Sequence, residues 1–225
     1  MREVVLDTET TGLNFRLGDR IIEVGCVELI NHVSTGQTLQ FYCSVEKKID
    51  DGAIKVHGLT NEFLSSQPLF EENAEKFLDF IKDDILIIHN AEFDVGFINN
   101  ELRIIGRPEL KNPIIDTVAL ARKKLNSRIA NLNYLCRRFS IDLSERNLHG
   151  ALLDSQLLAE VYLELKGGKQ ISMNLSTKET KENLDQNKNN HSLVFSKITP
   201  SNNEILQHKL LIKQIRNSLW EKIDY

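Results

Sequence analysis

A mixed α/β sheet is the fold class this sequence predicts, and two observations predict it. The chain opens with three strand-like segments inside its first forty-five residues. Beyond residue 70, stretches with apolar residues at helical spacing alternate with short apolar runs, Ile85–Ile88 and Ile114-Ile115, of the kind that form buried strands. Strands first, then helices and strands in alternation, give one sheet with helices packed on it.

Each element has its own signal. Val4, Val5 and Leu6 form an apolar run that ends on Asp7 and Glu9. A second strand at 20–30 carries Ile21, Ile22, Val24, Cys26, Val27 and Leu29. Residues 31–36 read as a turn cluster. Residues 37–45 alternate as a third strand, paired antiparallel to the second in a hairpin. Asp50-Asp51-Gly52 breaks the pattern, and His57 is expected in a loop. Phe70–Ile81 has helical spacing. A helix at 93–105 stops at Gly106 and Pro108. Helices follow at Thr117–Leu125 and 131–139, and the last, Ala151–Lys166, is closed by Gly167-Gly168. This domain is predicted to span 1–167.

After it the composition changes. Between Lys166 and His191 only Ile171, Met173, Leu175 and Leu184 are apolar. Such a stretch cannot bury enough surface to fold alone, so 168–192 is expected to be a flexible linker. Residues 193–225 form a tail in which Ser201 and Glu204 make a capping box. Leu211, Ile212, Ile215, Leu219 and Ile223 then make one apolar stripe of a C-terminal amphipathic helix. A lone amphipathic helix on a tether is expected to dock on another protein; folding back on its own domain is the alternative.

The net charge of −4 excludes a protein that grips nucleic acid by a strong positive field. Metals or a partner would have to supply that attraction. Cys26, Cys43 and Cys136 lack metal-ligand spacing and read as reduced core thiols. Reduced thiols make a reducing, cytoplasmic compartment the expectation, and with no secretory leader and no run of eighteen apolar residues read, no membrane is expected.

Four carboxylates carry the chemistry. In a strand, residues two apart point the same way, so Asp7 and Glu9 project together from a core strand. Side-by-side carboxylates repel unless they share a proton or a cation. The neighbouring Thr8, Thr10 and Thr11 suit a hard divalent ion; a simple turn after the strand is the other reading. Asp94 lies three, four and eight residues before Phe97, Ile98 and Leu102, at the head of a core-facing helical stripe. Asp154 stands in the same relation to Leu157, Leu158, Val161 and Leu165. Either could cap its helix, though Asn90 is as well placed as Asp94 to do so. Converging carboxylates would be badly destabilising without cations, whereas two divalent ions about 3.5–4 Å apart would satisfy them and make a phosphoryl-transfer site. His149 precedes Asp154 by about 500° of helical turn, so it belongs to the mobile segment 147–150 rather than to the helix face. There it could take a proton from water. His57 and His89 read as supports. Arg122-Lys123-Lys124 and Arg137-Arg138 read as solvated helix faces, with phosphate tracking as the alternative.

Taken together, Asp7-Thr8-Glu9, His89-Asn90-Ala91-Glu92-Phe93-Asp94 and His149 to Asp154 resemble the DEDDh family of 3′–5′ exonucleases. The words around Asp7 and Val56-His57-Gly58-Leu59-Thr60 are similar to those of its proofreading members from bacterial replicative polymerases. The resemblance implies a ribonuclease H-like fold with a five-stranded mixed sheet. It implies Asp7, Glu9, Asp94 and Asp154 as ligands of two magnesium or manganese ions, and His149 as general base. It implies that Gly52 and His57, with Asp7 and Glu9, meet the terminal nucleotide of a DNA 3′ end, which is released as a 5′-monophosphate. In the tail, 170–175 is similar to a sliding-clamp-binding peptide, and 193–225 to a segment that binds the polymerase (alpha) subunit. An RNA-trimming exoribonuclease of the same family, or a mainly structural subunit, is the competing expectation.

Overall fold

A computed structural model of the protein describes residues 1–167 and 200–214. In chain order the elements are β1 (Arg2–Thr10), β2 (Ile21–Ile30), β3 (Val33–Tyr42), α1 (Asp51–His57), α2 (Asn61–Ser65), α3 (Phe70–Ile81) and β4 (Ile85–Ile88). Then come α4 (Ala91–Ile104), β5 (Ile114–Asp116), α5 (Thr117–Leu125), α6 (Leu132–Arg138), α7 (Ala151–Lys166) and α8 (Asn202–Gln214). The first five strands make one sheet in the order β3-β2-β1-β4-β5. β2 pairs antiparallel with both β1 and β3, while β4 runs parallel to β1 and β5 parallel to β4. This is the mixed five-stranded sheet the sequence predicts.

The period-2 geometry of β1 sorts its side chains between two cores. Val4 and Leu6 pack with α3 and α4, whose Phe77, Phe97, Ile98 and Leu102 are fully or almost fully buried. Val5 faces the other way, towards α5, α6 and α7, where Leu135, Val161 and Tyr162 are sealed from solvent. β1 is therefore the central strand, covered on both faces. Its carboxyl end meets that of β4, since Leu6 pairs with Ile88. A crevice at such an end is where open α/β sheets bind ligands.

Two local expectations are corrected, and one short helix had no expectation. The hairpin turns at Asn31-His32, both at positive φ (51° and 70°), and β3 begins at Val33 rather than at residue 37. Gly36, the last residue of the expected turn cluster, lies within β3 in the irregular stretch between the pairs Leu29 with Ser34 and Val27 with Thr38. Residues 51–57 are helix α1, so His57 ends a helix instead of sitting in a loop. Residues 61–65 form a second short helix, with Thr60 accepting a hydrogen bond from the Phe63 amide. Both helices are too short to display apolar periodicity.

Cys26, Cys43 and Cys136 are free and buried, as expected of reduced core thiols. Among the described residues no helix is long and apolar enough to cross a membrane. The chain divides into two units, Met1–Asn174 and Leu175–Tyr225, each described by itself. In the second, Ser201 and Glu204 form the capping box: the Glu204 carboxylate accepts from the Ser201 amide at 2.7 Å, and Ser201 Oγ accepts from the Glu204 amide at 3.3 Å. The linker and clamp-peptide expectations at 168–192, and the tail outside 200–214, lie outside the described residues.

Candidate active site

The carboxyl end of β1 brings Asp7 and Glu9 onto the face that looks towards α7. Opposite them across the ladder stand Gly25 and Glu23. After β4 the chain turns sharply at Asn90, held at φ 68°, and enters α4. One turn later Asp94 reaches back to β1 and is 3% exposed. Its Oδ1 accepts from the Thr8 amide at 3.0 Å and from Thr8 Oγ1 at 2.7 Å. Asp94 is thus fastened to the central strand, with its own backbone amide also favouring the carboxylate. Asn90, in the capping position, makes no side-chain cap.

Asp154 is placed by the way α7 lands on β2. A Cβ at Gly25 would lie 2.2 Å from backbone atoms of Ala151 and Leu152, so only glycine admits the helix start there. Ser155 Oγ donates to the Gly25 carbonyl at 2.9 Å. The Glu23 carboxylate lies against the Ala151 and Leu152 amides, giving the helix N-terminus a negative group that Gly150 cannot supply. Asp154 follows one turn later, 4% exposed.

One cavity of about 330 Å³ is lined by Asp7, Glu9, Asp94, Asp154, His149 and Arg146, among others. Ligand atoms of Glu9, His149 and Asp154 lie within 4.8 Å of one another. The electrostatics are those of crowded anions. Burial raises the Asp7 carboxyl well above its usual range, and the charges of Asp94 and Glu9 raise it further. Burial, then Asp154 and Glu23, push Glu9 up to about 8. Burial pushes Asp94 to about 7 despite the Thr8 hydrogen bonds. The group cannot be fully ionised near neutral pH without added positive charge. Carboxylate oxygens with one imidazole are a donor set that fits hard divalent cations.

His149 is half-exposed and 3.4 Å from Asp154 Oδ2. Its segment is anchored rather than free-swinging. The His149 amide donates to the Val56 carbonyl at 3.0 Å, and Leu148 covers Gly58 so closely that a Cβ there would lie 2.6 Å from it. Burial, then the Arg146 charge, lowers the His149 pKa. His89 is pinned through Nδ1 to Thr117 Oγ1 at 2.9 Å, a support at the cavity wall. The basic clusters at 122–124 and 137–138 are exposed.

Arg146 is the residue that sequence reasoning missed. Its Nε and Nη2 each stand 2.6 Å from an Asp154 oxygen, and Nη1 donates to Asn133 Oδ1 at 2.7 Å. It lies in a loop with no periodicity to mark it. The available signal was chemical: converging acids need a cation, and Arg146 is the basic residue nearest His149 in sequence.

A second cavity, also about 330 Å³, adjoins the first across Thr8, Glu9 and Phe93. It is lined by Leu13, Gly52, Ala53, Val56 and His57, mostly apolar, and Leu13 at its rim is 86% exposed. The Asp50 amide donates to the Thr11 carbonyl at 3.0 Å, which ties the start of α1 to the end of β1. His57 accepts from the Leu59 amide at Nδ1, and burial lowers its pKa. Its Nε2 is buried and makes no hydrogen bond of ordinary geometry among the described residues, although the Thr10 backbone lies close enough to the ring to favour its protonated form. An unpaired buried polar atom beside an apolar pocket is a place for a ligand group to bond.

Comparison with known proteins agrees with this architecture. The family model described as "Exonuclease" matches residues 4–162. DNA polymerase III subunit epsilon of Rickettsia felis is 43% identical over 222 residues, covering 96% of this chain and 97% of that protein. The Escherichia coli protein of the same name is 44% identical over 175 residues, 74% of this chain and 72% of that one. The nuclease domain of 3'hExo, described as a DEDDh family member bound to rAMP, superposes with a TM-score of 0.64 at 19% identity, over 74% of this chain and 92% of that one. The chain belongs to this exonuclease family, together with the DNA polymerase III epsilon subunits, and has the ribonuclease H-like fold of the DEDDh exonucleases.

Proposed function

We propose that this chain is the 3′–5′ exodeoxyribonuclease that proofreads DNA synthesis as the epsilon subunit of a cytoplasmic replicative polymerase III. The observation that carries the reading is the pairing of the two cavities: an acidic one lined by Asp7, Glu9, Asp94 and Asp154 beside an apolar one of nucleotide size. Family membership implies divalent metal ions. In this reading the four carboxylates hold two of them, magnesium or manganese. Such ions, when bound, supply charge that stabilises an in-line displacement at phosphorus.

The chain's own residues do the rest. Gly52, Ala53, Val56 and Leu13 receive the base and sugar of the last nucleotide at a single-stranded or frayed 3′ end. The free Nε2 of His57 bonds to a nucleotide oxygen. Asp7 and Glu9, on the strand between the cavities, bring metal and substrate together. His149 takes the proton of the attacking water; its lowered pKa keeps the imidazole neutral and able to accept at physiological pH.

The test is magnesium- or manganese-dependent digestion of single-stranded DNA. Asp7→Ala and Asp154→Ala are expected to abolish it with folding retained, and full activity in EDTA would overturn the metal role. Short DNA and RNA oligomers compared at equal metal separate proofreading from RNA trimming. The tail 193–225 docks on the polymerase alpha subunit in this reading, supported by Leu206, Leu210 and Leu211, which α8 leaves exposed. The peptide 170–175 is proposed to meet the sliding clamp. Deleting 193–225 is expected to abolish association with polymerase and leave digestion of free single strands nearly unchanged; unchanged association would overturn the docking role.

A further inference from the structure

Arg146 is sunk in the acidic cavity, its side chain only 6% exposed. Two of its nitrogens fork onto Asp154, one oxygen each, both at 2.6 Å. The nitrogen that bonds Asp154 Oδ2 also lies 3.2 Å from His149 Nδ1. A guanidinium only donates, so where that contact is a hydrogen bond Nδ1 accepts and the neutral imidazole carries its proton on Nε2; in the other tautomer Nδ1–H faces Asp154 Oδ2 at 3.4 Å instead. In the first state His149 has no free lone pair with which to take a proton from water. One side chain thereby occupies a carboxylate needed for metal and the lone pair needed for base catalysis.

The same placement is unfavourable to a divalent ion. A dication on Asp154 would stand within a few ångströms of the guanidinium, in a cavity where burial weakens screening. Without that dication, Arg146 is the cation that offsets the crowded acids. We propose that Arg146 is a latch: it holds Asp154 and His149 together before metal binds, and divalent ions displace it from both. Loading metal then also frees the base, so the site is armed only when it is loaded. Asn133, which accepts from Nη1 at 2.7 Å, is the post on which the released guanidinium can pivot.

This inference rests on the two-metal reading, and the experiment separates the two. Calorimetric titration with manganese compares the full chain with Arg146→Gln, Arg146→Lys and Asp7→Asn. Arg146→Gln is expected to bind manganese about tenfold tighter, because a charge-assisted fork no longer competes, and to melt at a lower temperature without metal. Lysine keeps the charge but cannot fork, so Arg146→Lys is expected to fall between the two; it serves alone if the glutamine variant does not fold. Nitrogen-15 spectra of His149 should show the Nε2–H tautomer without metal and a change when magnesium is added. Should Asp7→Asn weaken manganese binding while neither Arg146 variant tightens it, the latch is overturned and the metal site stands. Should Asp7→Asn bind manganese as the wild type does, the metal reading falls and the latch with it.

Discussion

Strand β1 carries a buried carboxylate near each end, and the two are treated in opposite ways. Near its start, Glu3 is fully buried, with Oε1 accepting from Tyr162 at 2.8 Å and Oε2 lying 2.7 Å from His32 Nδ1. The His32 ring also meets Tyr162 edge-on, with centroids 5.5 Å apart. Near its end, Glu9 is 9% exposed and is surrounded by Asp154, Glu23 and Asp94. Among the described residues no side-chain donor is set against it. A buried carboxylate with its own donors is part of the fold; one packed among other acids is held for something that arrives later.

The largest expected effect breaks the functional end. Asp7→Asn leaves the shape of the strand but removes a charge from the acidic cavity, and metal-dependent nuclease activity should fall by at least about a hundredfold. Glu9→Gln should show the converse in stability. The Glu9 carboxyl titrates at about 8 in the folded chain against an ordinary value of 4.5. Between those values the folded state holds a proton that the unfolded state has lost, so stability falls as pH rises through that window. The metal-free protein should therefore melt lower at pH 8 than at pH 5.5. Glu9→Gln should recover a share on the order of a few kcal/mol at pH 8, and added manganese should flatten the wild-type profile. Denaturant melts at the two pH values, with and without EDTA, check this.

The structural end should answer with the opposite sign. Glu3→Gln loses the charge that both partners use and is expected to cost about 2 kcal/mol in chemical denaturation. The folded fraction should keep wild-type turnover per molecule. Tyr162→Phe removes one hydrogen bond and leaves the ring, so a loss of about 1 kcal/mol is expected. A stabilising Glu3→Gln or a destabilising metal-free Glu9→Gln would dissolve the contrast between the two ends.

How much of this was legible depends on how local each signal is. Asp94 and Asp154 could be assigned to core-facing helix stripes because periodicity alone fixes which residues share a face. The apolar run Val4-Val5-Leu6 announced β1 equally well. Helix α1 was not legible: its seven residues begin with Asp-Gly, and its start is tied to the end of β1 by the bond from the Asp50 amide to Thr11. Gly36 misled because a bend inside a strand and a hairpin turn both favour glycine at positive φ. Glu23 escaped because its meaning lies far away in the chain, at the start of α7 more than a hundred residues on. Arg146 escaped although its partners Asp154 and His149 are close in sequence, because a loop has no period to say which way a side chain points.

The hydrogen bond from the His149 amide to the Val56 carbonyl has a mechanical meaning. Val56 is a wall of the apolar pocket, so this bond joins that wall directly to the backbone of His149. If the proposed function holds, a terminus that seats fully would steady the proposed base, while one that enters askew would push it out of line. Fidelity at this centre would then begin before any bond is cut, in the fit of a single sugar and base against a short helix.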